Sequence, residues 1–109
     1  MHEMAITESV VAAVSERIGP ERVRRVVLEI GRLSGVVPDA LRFCFELCAK
    51  DTTLDGALLE IREIPGLGHC GACGADVELD FPVGVCACGS PELAIITGRE
   101  LRIKEVELA

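Results

Sequence analysis

Residues 68–90 read GHCGACGADVELDFPVGVCACGS. Within them, Cys70-Gly-Ala-Cys73 is followed by twelve residues and then by Cys86-Ala-Cys88-Gly89. Structural zinc takes four soft ligands in a tetrahedron, and two closely spaced Cys pairs supply them. A Cys-x2-Cys turn sets two thiolates on one side of an ion, and the glycine after it lets backbone N–H groups approach sulfur. The second pair closes the other side through a tighter loop, because only Ala87 separates Cys86 from Cys88. The neighbouring His69 offers an imidazole that could replace one thiolate. Two other readings compete, a set of reduced core thiols and a Cys-x2-Cys redox pair. A redox pair belongs at a helix start after a strand, and Gly71 and Gly74 do not fit that setting. The spacing therefore predicts a zinc site at Cys70, Cys73, Cys86 and Cys88.

The segment around these cysteines differs from the rest of the chain. From Pro65 to Gly98 lie seven of the eleven Gly, three of the five Pro and four of the six Cys. That composition reads as a metal-stapled loop module. The sequence on either side reads as regular structure. Ile6, Val10, Ala13, Val14 and Ile18 follow helical spacing over 4–18, and Gly19-Pro20 stops the run. Residues 22–31 alternate as a strand, with Val26, Leu28 and Ile30 on one face and Val27 and Glu29 on the other. After a loop, Pro38 and Asp39 suit the first turn of a helix over about 38–50. That helix carries Leu41, Phe43, Cys44, Phe45, Leu47 and Cys48, apolar on nearly all sides, and is expected between a sheet and the first helix. Cys44 and Cys48 share one face and could clip a metal, but among Phe and Leu they read as small core residues. Residues 57–64 form a second strand. Leu101, Ile103, Val106 and Leu108 suggest a third, with a bulge near Lys104-Glu105.

The resulting fold class is α+β: two helices packed on a small three-stranded sheet, with an inserted zinc-ribbon-like module. The domains are 1–64 plus 99–109 for the α+β part and 65–98 for the zinc-binding module. The chain has 109 residues, and a net charge of -7 at pH 7. Nucleic acid and anionic membrane surfaces both require clustered Lys and Arg, and no such cluster exists, so neither is an expected partner. The first ten residues lack a basic n-region, and no apolar run reaches the length of a membrane span. The expected location is the cytoplasm, where paired Cys signal metal or redox chemistry more often than disulfides.

The second chemical signal is the start, Met1-His2-Glu3. An α-amine, the amide nitrogen of His2 and its imidazole can form fused chelate rings around one cation, and a nitrogen-rich planar set suits Ni(II) or Cu(II). Together with the helix, Val27-Leu28-Glu29-Ile30-Gly31, Leu41-x-Phe43-x-Phe45-Glu46 and the late double-Cys module, this start resembles the HypA family of hydrogenase maturation nickel chaperones. The resemblance covers essentially the whole chain. It implies a two-domain α+β protein, with Ni(II) as transferred cargo held at Met1, His2 and Glu3 in the α+β domain, and structural Zn2+ in the Cys module. It also implies delivery of nickel to the [NiFe]-hydrogenase large subunit, with a nickel-binding maturation GTPase as partner and urease served in some species. The family's second zinc turn is usually Cys-x2-Cys, whereas this chain has Cys86-x-Cys88.

Three functions compete on this reading. A nickel metallochaperone is a binding and transfer protein rather than an enzyme, and no Ser-His-Asp set, phosphate loop or clear carboxylate dyad stands in the sequence. The alternative, a zinc-ribbon protein-interaction module, would share the Cys pattern. As a nucleic-acid ribbon it would need cations, but residues 69–92 carry Asp76, Glu78, Asp80 and Glu92 and no Lys or Arg. A thiol oxidoreductase would need one exposed Cys of low pKa.

Overall fold

The computed structural model describes residues 2–109. Along the chain run α1 (Glu3–Ile18), β1 (Val23–Gly31), α2 (Pro38–Ala49), β2 (Leu58–Ile64), β3 (Gly66–Cys70), β4 (Asp76–Leu79), β5 (Leu93–Thr97) and β6 (Leu101–Leu108). The strands make two three-stranded sheets, ordered β2-β1-β6 and β4-β3-β5. The chain divides into two compact units. One takes the residues up to Leu28 with Val36–Arg62 and Arg102–Ala109; the other takes Glu29–Gly35 and Glu63–Leu101.

In the first unit α1 packs on α2. Thr7, Val10, Val11 and Val14 are the buried residues of α1, an i, i+3, i+4, i+7 stripe. This stripe lies to one side of the expected one: Ala13 is exposed and Ile6 and Ile18 are half-buried. Thr7 explains the shift. A hydroxyl reads as polar, yet Thr7 Oγ1 lies 3.0 Å from the Met4 carbonyl oxygen and 3.1 Å from that of Glu3. Satisfied within its own helix, it is buried without the desolvation penalty of a lone hydroxyl. Gly19 (φ 74°) ends the helix, its amide donating to the Ser15 carbonyl at 2.9 Å.

In α2, Val37 caps the helix in extended conformation and Pro38 opens the first turn. Leu41, Phe45 and Ala49 are its buried residues. The expectation of a helix covered on nearly all sides is corrected here, since Phe43 is 61% and Leu47 52% exposed. Apolar composition does not fix how many sides of a helix are covered, and a single stripe is enough to seat this one. In β1, Val26, Val27, Leu28 and Ile30 are at most 2% exposed, as a central strand covered on both faces requires. Arg25 marks the same centrality: it pairs with Glu60 of β2 at 2.6 Å and with Glu107 of β6 at 2.9 Å. β6 is one continuous strand through Lys104 and Glu105.

The second unit is not the loop module that its composition suggests. β3 pairs antiparallel with β4, Gly66 opposite Leu79 and His69 opposite Asp76. On its other side it pairs with β5, with a register shift between Leu67 and Gly68. Gly66 and Gly68 are buried strand residues. A Cβ on Gly66 would stand 2.3 Å from the Leu79 carbonyl oxygen, and one on Gly68 would stand 2.9 Å from Leu79 Cδ1. These glycines are set by close approach rather than by a turn. The buried side chains here are few: Ile30, Leu33, Leu79, Cys70 and Cys86. So small a core is marginal alone and calls for a staple.

Candidate metal centres

Four thiols converge in the second unit. Cys70 ends β3, Cys73 follows one turn later, and Cys86 and Cys88 lie in the approach to β5. Their Sγ atoms all lie within 4.8 Å of one another. Cys70 and Cys88 are 3.7 Å apart, and Cys73 and Cys86 3.6 Å apart. Zn–S bonds of about 2.3 Å in a tetrahedron put sulfurs ~3.8 Å apart, so the set fits zinc with little adjustment. Cys70 and Cys86 are buried while Cys73 and Cys88 are exposed, a site walled on one side.

The turns that build the cluster are backbone-closed. The Gly74 amide donates to the Cys70 carbonyl at 2.9 Å, the Cys86 amide to the Ser90 carbonyl at 2.9 Å and the Gly89 amide to the Cys86 carbonyl at 2.8 Å. The single-residue spacing of Cys86 and Cys88 is thus accommodated by a tight turn, and all four sulfurs still meet. Backbone N–H groups also point at sulfur. The Cys73 amide, and then that of Ala72, draws the Cys70 thiol down to about 6. On Cys73 the Ala75 amide pulls the same way, but the thiols of Cys86, Cys70 and Cys88 outweigh it and push the group up to about 12. Cys88 is likewise raised: the Ser90 amide is outweighed by Cys86 and Cys70. One thiolate forms readily and its neighbours then resist ionisation. A dication removes that conflict, since it neutralises charge that the thiols cannot hold together.

His69 does not join the thiols. On β3 it alternates with Cys70, and its Nδ1 faces Asp76 Oδ1 at 2.8 Å across the β3–β4 register. Cys44 and Cys48 stand in the first unit. Cys48 Sγ lies 3.2 Å from Thr7 Oγ1 and 3.4 Å from Met4 Sδ. Among the described residues the four-Cys cluster is the one group of three or more Cys, His or carboxylate ligands.

Of the N-terminal residues, Met1 lies outside the described residues. His2 is exposed and stands at the N-cap of α1, with no side-chain hydrogen bond capping the helix; its carbonyl accepts the Ile6 amide at 3.1 Å. Glu3 opens α1, and its Oε2 accepts the Val37 amide at 3.2 Å. That bond, with the Glu3 amide itself, holds the carboxyl below its ordinary value. The Val37 amide was not legible as a partner of Glu3. Val37 is 34 residues away and carries no polar side chain; only the pairing of α1 with the start of α2 reveals its amide. The amides of Ala72, Cys73, Ala75 and Ser90 were equally hidden, although glycines beside paired cysteines hint that backbone must approach sulfur there.

Known proteins place this architecture. Residues 1–108 match the family model described as hydrogenase/urease nickel incorporation, metallochaperone, hypA. A hydrogenase maturation factor HypA from Nostoc sp. is 56% identical over 108 residues, covering 99% of this chain and 96% of the relative. The protein of the same name from Geobacter metallireducens is 50% identical over 109 residues, covering 99% of each. Among solved structures, the solution structure of the Ni metallochaperone HypA from Helicobacter pylori superposes with a TM-score of 0.67 at 24% identity, over 99% of this chain and 97% of that one. A further solution structure of a HypA protein gives 0.67 at 25% identity, over 100% and 97%. A match along the whole chain, relatives at half identity or better, and a two-sheet fold carrying a four-thiol cluster suited to zinc lead to one conclusion: the chain belongs to the HypA family of hydrogenase and urease nickel metallochaperones.

Proposed function

We propose that this chain binds Ni(II) at its N-terminus and hands it to the active site of a [NiFe]-hydrogenase large subunit during maturation. The Met1 amine, the His2 amide nitrogen and imidazole, and Glu3 are the nickel ligands. Cys70, Cys73, Cys86 and Cys88 hold a structural zinc, which ties the small second unit together. The nickel-binding domain is 1–64 plus 99–109 and the zinc module is 65–98. The chain has no catalytic role, works in the cytoplasm and receives or exchanges nickel with a nickel-binding GTPase.

The observation that supports the N-terminal site is the exposed His2 at the head of α1, its ring unused in capping the helix. The first amides of a helix have no intrahelical partner, so the His2 and Glu3 nitrogens are available without breaking the ladder. Glu3 is different, because its carboxylate already holds the Val37 amide. The fourth position comes from Glu3, through its carboxylate or its amide nitrogen; the amide route leaves the carboxylate on Val37 and gives up the amide's own bond to that carboxyl. The amine and imidazole must be free of protons and the amide nitrogen must give up its own to bind Ni(II), so affinity falls as pH drops.

The test is direct. His2→Ala removes nickel and spares zinc. A short tag before Met1 does the same although every side chain remains. Metal analysis and native mass spectrometry read both. Undiminished nickel affinity and an unchanged spectrum in the tagged protein would show that the amine is not a ligand.

A further inference from the structure

One surface feature is used neither by the zinc cluster nor by the N-terminus. Between β4 and Cys86 the chain runs Asp80-Phe-Pro-Val-Gly-Val85, outside both sheets. Phe81 is 72% exposed, Val83 83% and Val85 64%. Single exposed apolar residues are ordinary, but three alternate ones within five positions form a patch that calls for a partner.

The loop is also held in place. A Cβ on Gly84 would stand 2.9 Å from Leu79 Cδ2 and 3.7 Å from Leu93 Cδ1, so the Gly84 backbone lies against these two side chains. Leu79 is 6% and Cys86 5% exposed, which anchors both ends. With Gly84 turned inward, Val83 and Val85 on either side of it stand outward. A loop fixed before binding loses little conformational entropy on docking.

Its surroundings carry one sign. Asp76, Glu78, Asp80 and Glu92 are exposed, and residues 69–92 contain no Lys or Arg. His69 pairs with Asp76, and Arg32 reaches the loop's base, 3.8 Å from Asp80. Both of those side chains are well exposed, so that pair is weak.

We propose that the Asp80–Val85 loop docks the nickel-receiving client, a nickel-free hydrogenase large subunit, at an apolar pocket rimmed by Lys and Arg. This rests on the reading of the chain as a nickel donor to that subunit. Phe81 and Val83 fill the pocket and supply most of the affinity. The acidic rim steers the encounter and makes it salt-dependent.

The experiment measures binding of purified nickel-free large subunit to the full-length, zinc-loaded chain. Phe81→Ser/Val83→Ser keeps one zinc and the wild-type nickel stoichiometry but weakens this complex at least tenfold. Glu78→Gln/Asp80→Asn slows association and flattens its salt dependence. Should the double serine variant lose zinc, Val83→Ser alone, at a position 83% exposed, still weakens the complex. Wild-type affinity in a zinc-loaded Phe81/Val83 variant overturns the proposal, as does a large subunit that binds no form of the chain. A loss confined to the maturation GTPase overturns it too. Nickel titration of the same samples separates this failure from failure of the nickel-donor reading, which falls only if the N-terminus takes up no nickel.

Discussion

Replacing Gly66 by Ala isolates the packing of the second sheet from its chemistry. The new Cβ would stand 2.3 Å from the Leu79 carbonyl oxygen and within 2.9 Å of Leu33 Cγ and Cδ2. Leu33 can turn aside, but the carbonyl belongs to the strand residue paired with Gly66, and backbone cannot. The strands must part by roughly 1.1 Å to restore ordinary contact, at about 1–3 kcal/mol for overpacking and about 1 kcal/mol for a weakened ladder bond. A total of about 3 kcal/mol follows. Because ligand convergence and folding of this unit are one process, that sum appears as roughly 100-fold weaker zinc binding. Competition against a chromophoric chelator at neutral pH measures it. Gly71→Ala is the control. It lies between two ligands, yet its Cβ would meet Glu92 Oε2 at 3.6 Å, an ordinary contact, and its zinc affinity should stay within threefold of wild type. Equal affinities for the two variants would refute the close-approach account of β3.

Three other outcomes are expected. Stripping zinc with a strong chelator should abolish amide protection in β3, β4 and β5 while α1 and α2 keep their helical circular dichroism, because the buried set of the second unit is so small; retained protection in a metal-free sample would refute this. Phe45→Ala, at a position 2% exposed, should cost about 3–5 kcal/mol in denaturant unfolding, whereas Phe43→Ala, 61% exposed, should cost under about 0.5 kcal/mol. The bond between Glu3 and the Val37 amide should stabilise the start of α2 above the carboxyl's ordinary value of 4.5 and be lost as pH falls through the lower folded value. The protection factor of the Val37 amide, its exchange measured against the intrinsic rate at each pH, should fall over that range in wild type, and should be low and unchanging in Glu3→Gln.

Much of this was legible in the sequence, and the parts that were not share a cause. The helices, β1, β2 and β6 follow from periodicity and from Gly19-Pro20 and Pro38, signals that act over a few residues. The four-Cys convergence follows from spacing alone, and the tight Cys86-Ala-Cys88 turn did not prevent it. The second sheet escaped because Gly66 and Gly68 look like turn residues. Their reason for being glycine is Leu79, eleven or more positions away, and periodicity cannot see a partner strand. Thr7 escaped because its hydroxyl is satisfied inside its own helix. Phe43 and Leu47 misled in the opposite sense, as apolar residues that the fold leaves uncovered.

The four-Cys cluster and the proposed nickel site divide a requirement that one site could not meet. A structural ion should not leave, and the Cys cluster is built for that: two ligands are buried, every turn is closed by backbone bonds, and amides from Ala72, Cys73, Ala75 and Ser90 point at sulfur. A cargo ion must leave, and the proposed nickel ligands sit where departure is easy. His2 is exposed at a helix start, and such a start already carries unpartnered amides, so unloading nickel breaks no packed contact. The Val37 amide holds the Glu3 carboxylate at 3.2 Å. The donor sets separate in the same way: four sulfurs favour zinc, whereas amine, amide and imidazole nitrogens favour square-planar nickel. Exchanging the ions between the sites would put each metal among donors and geometry that suit it less. On this account both sites fill correctly by ligand chemistry alone, without a gate.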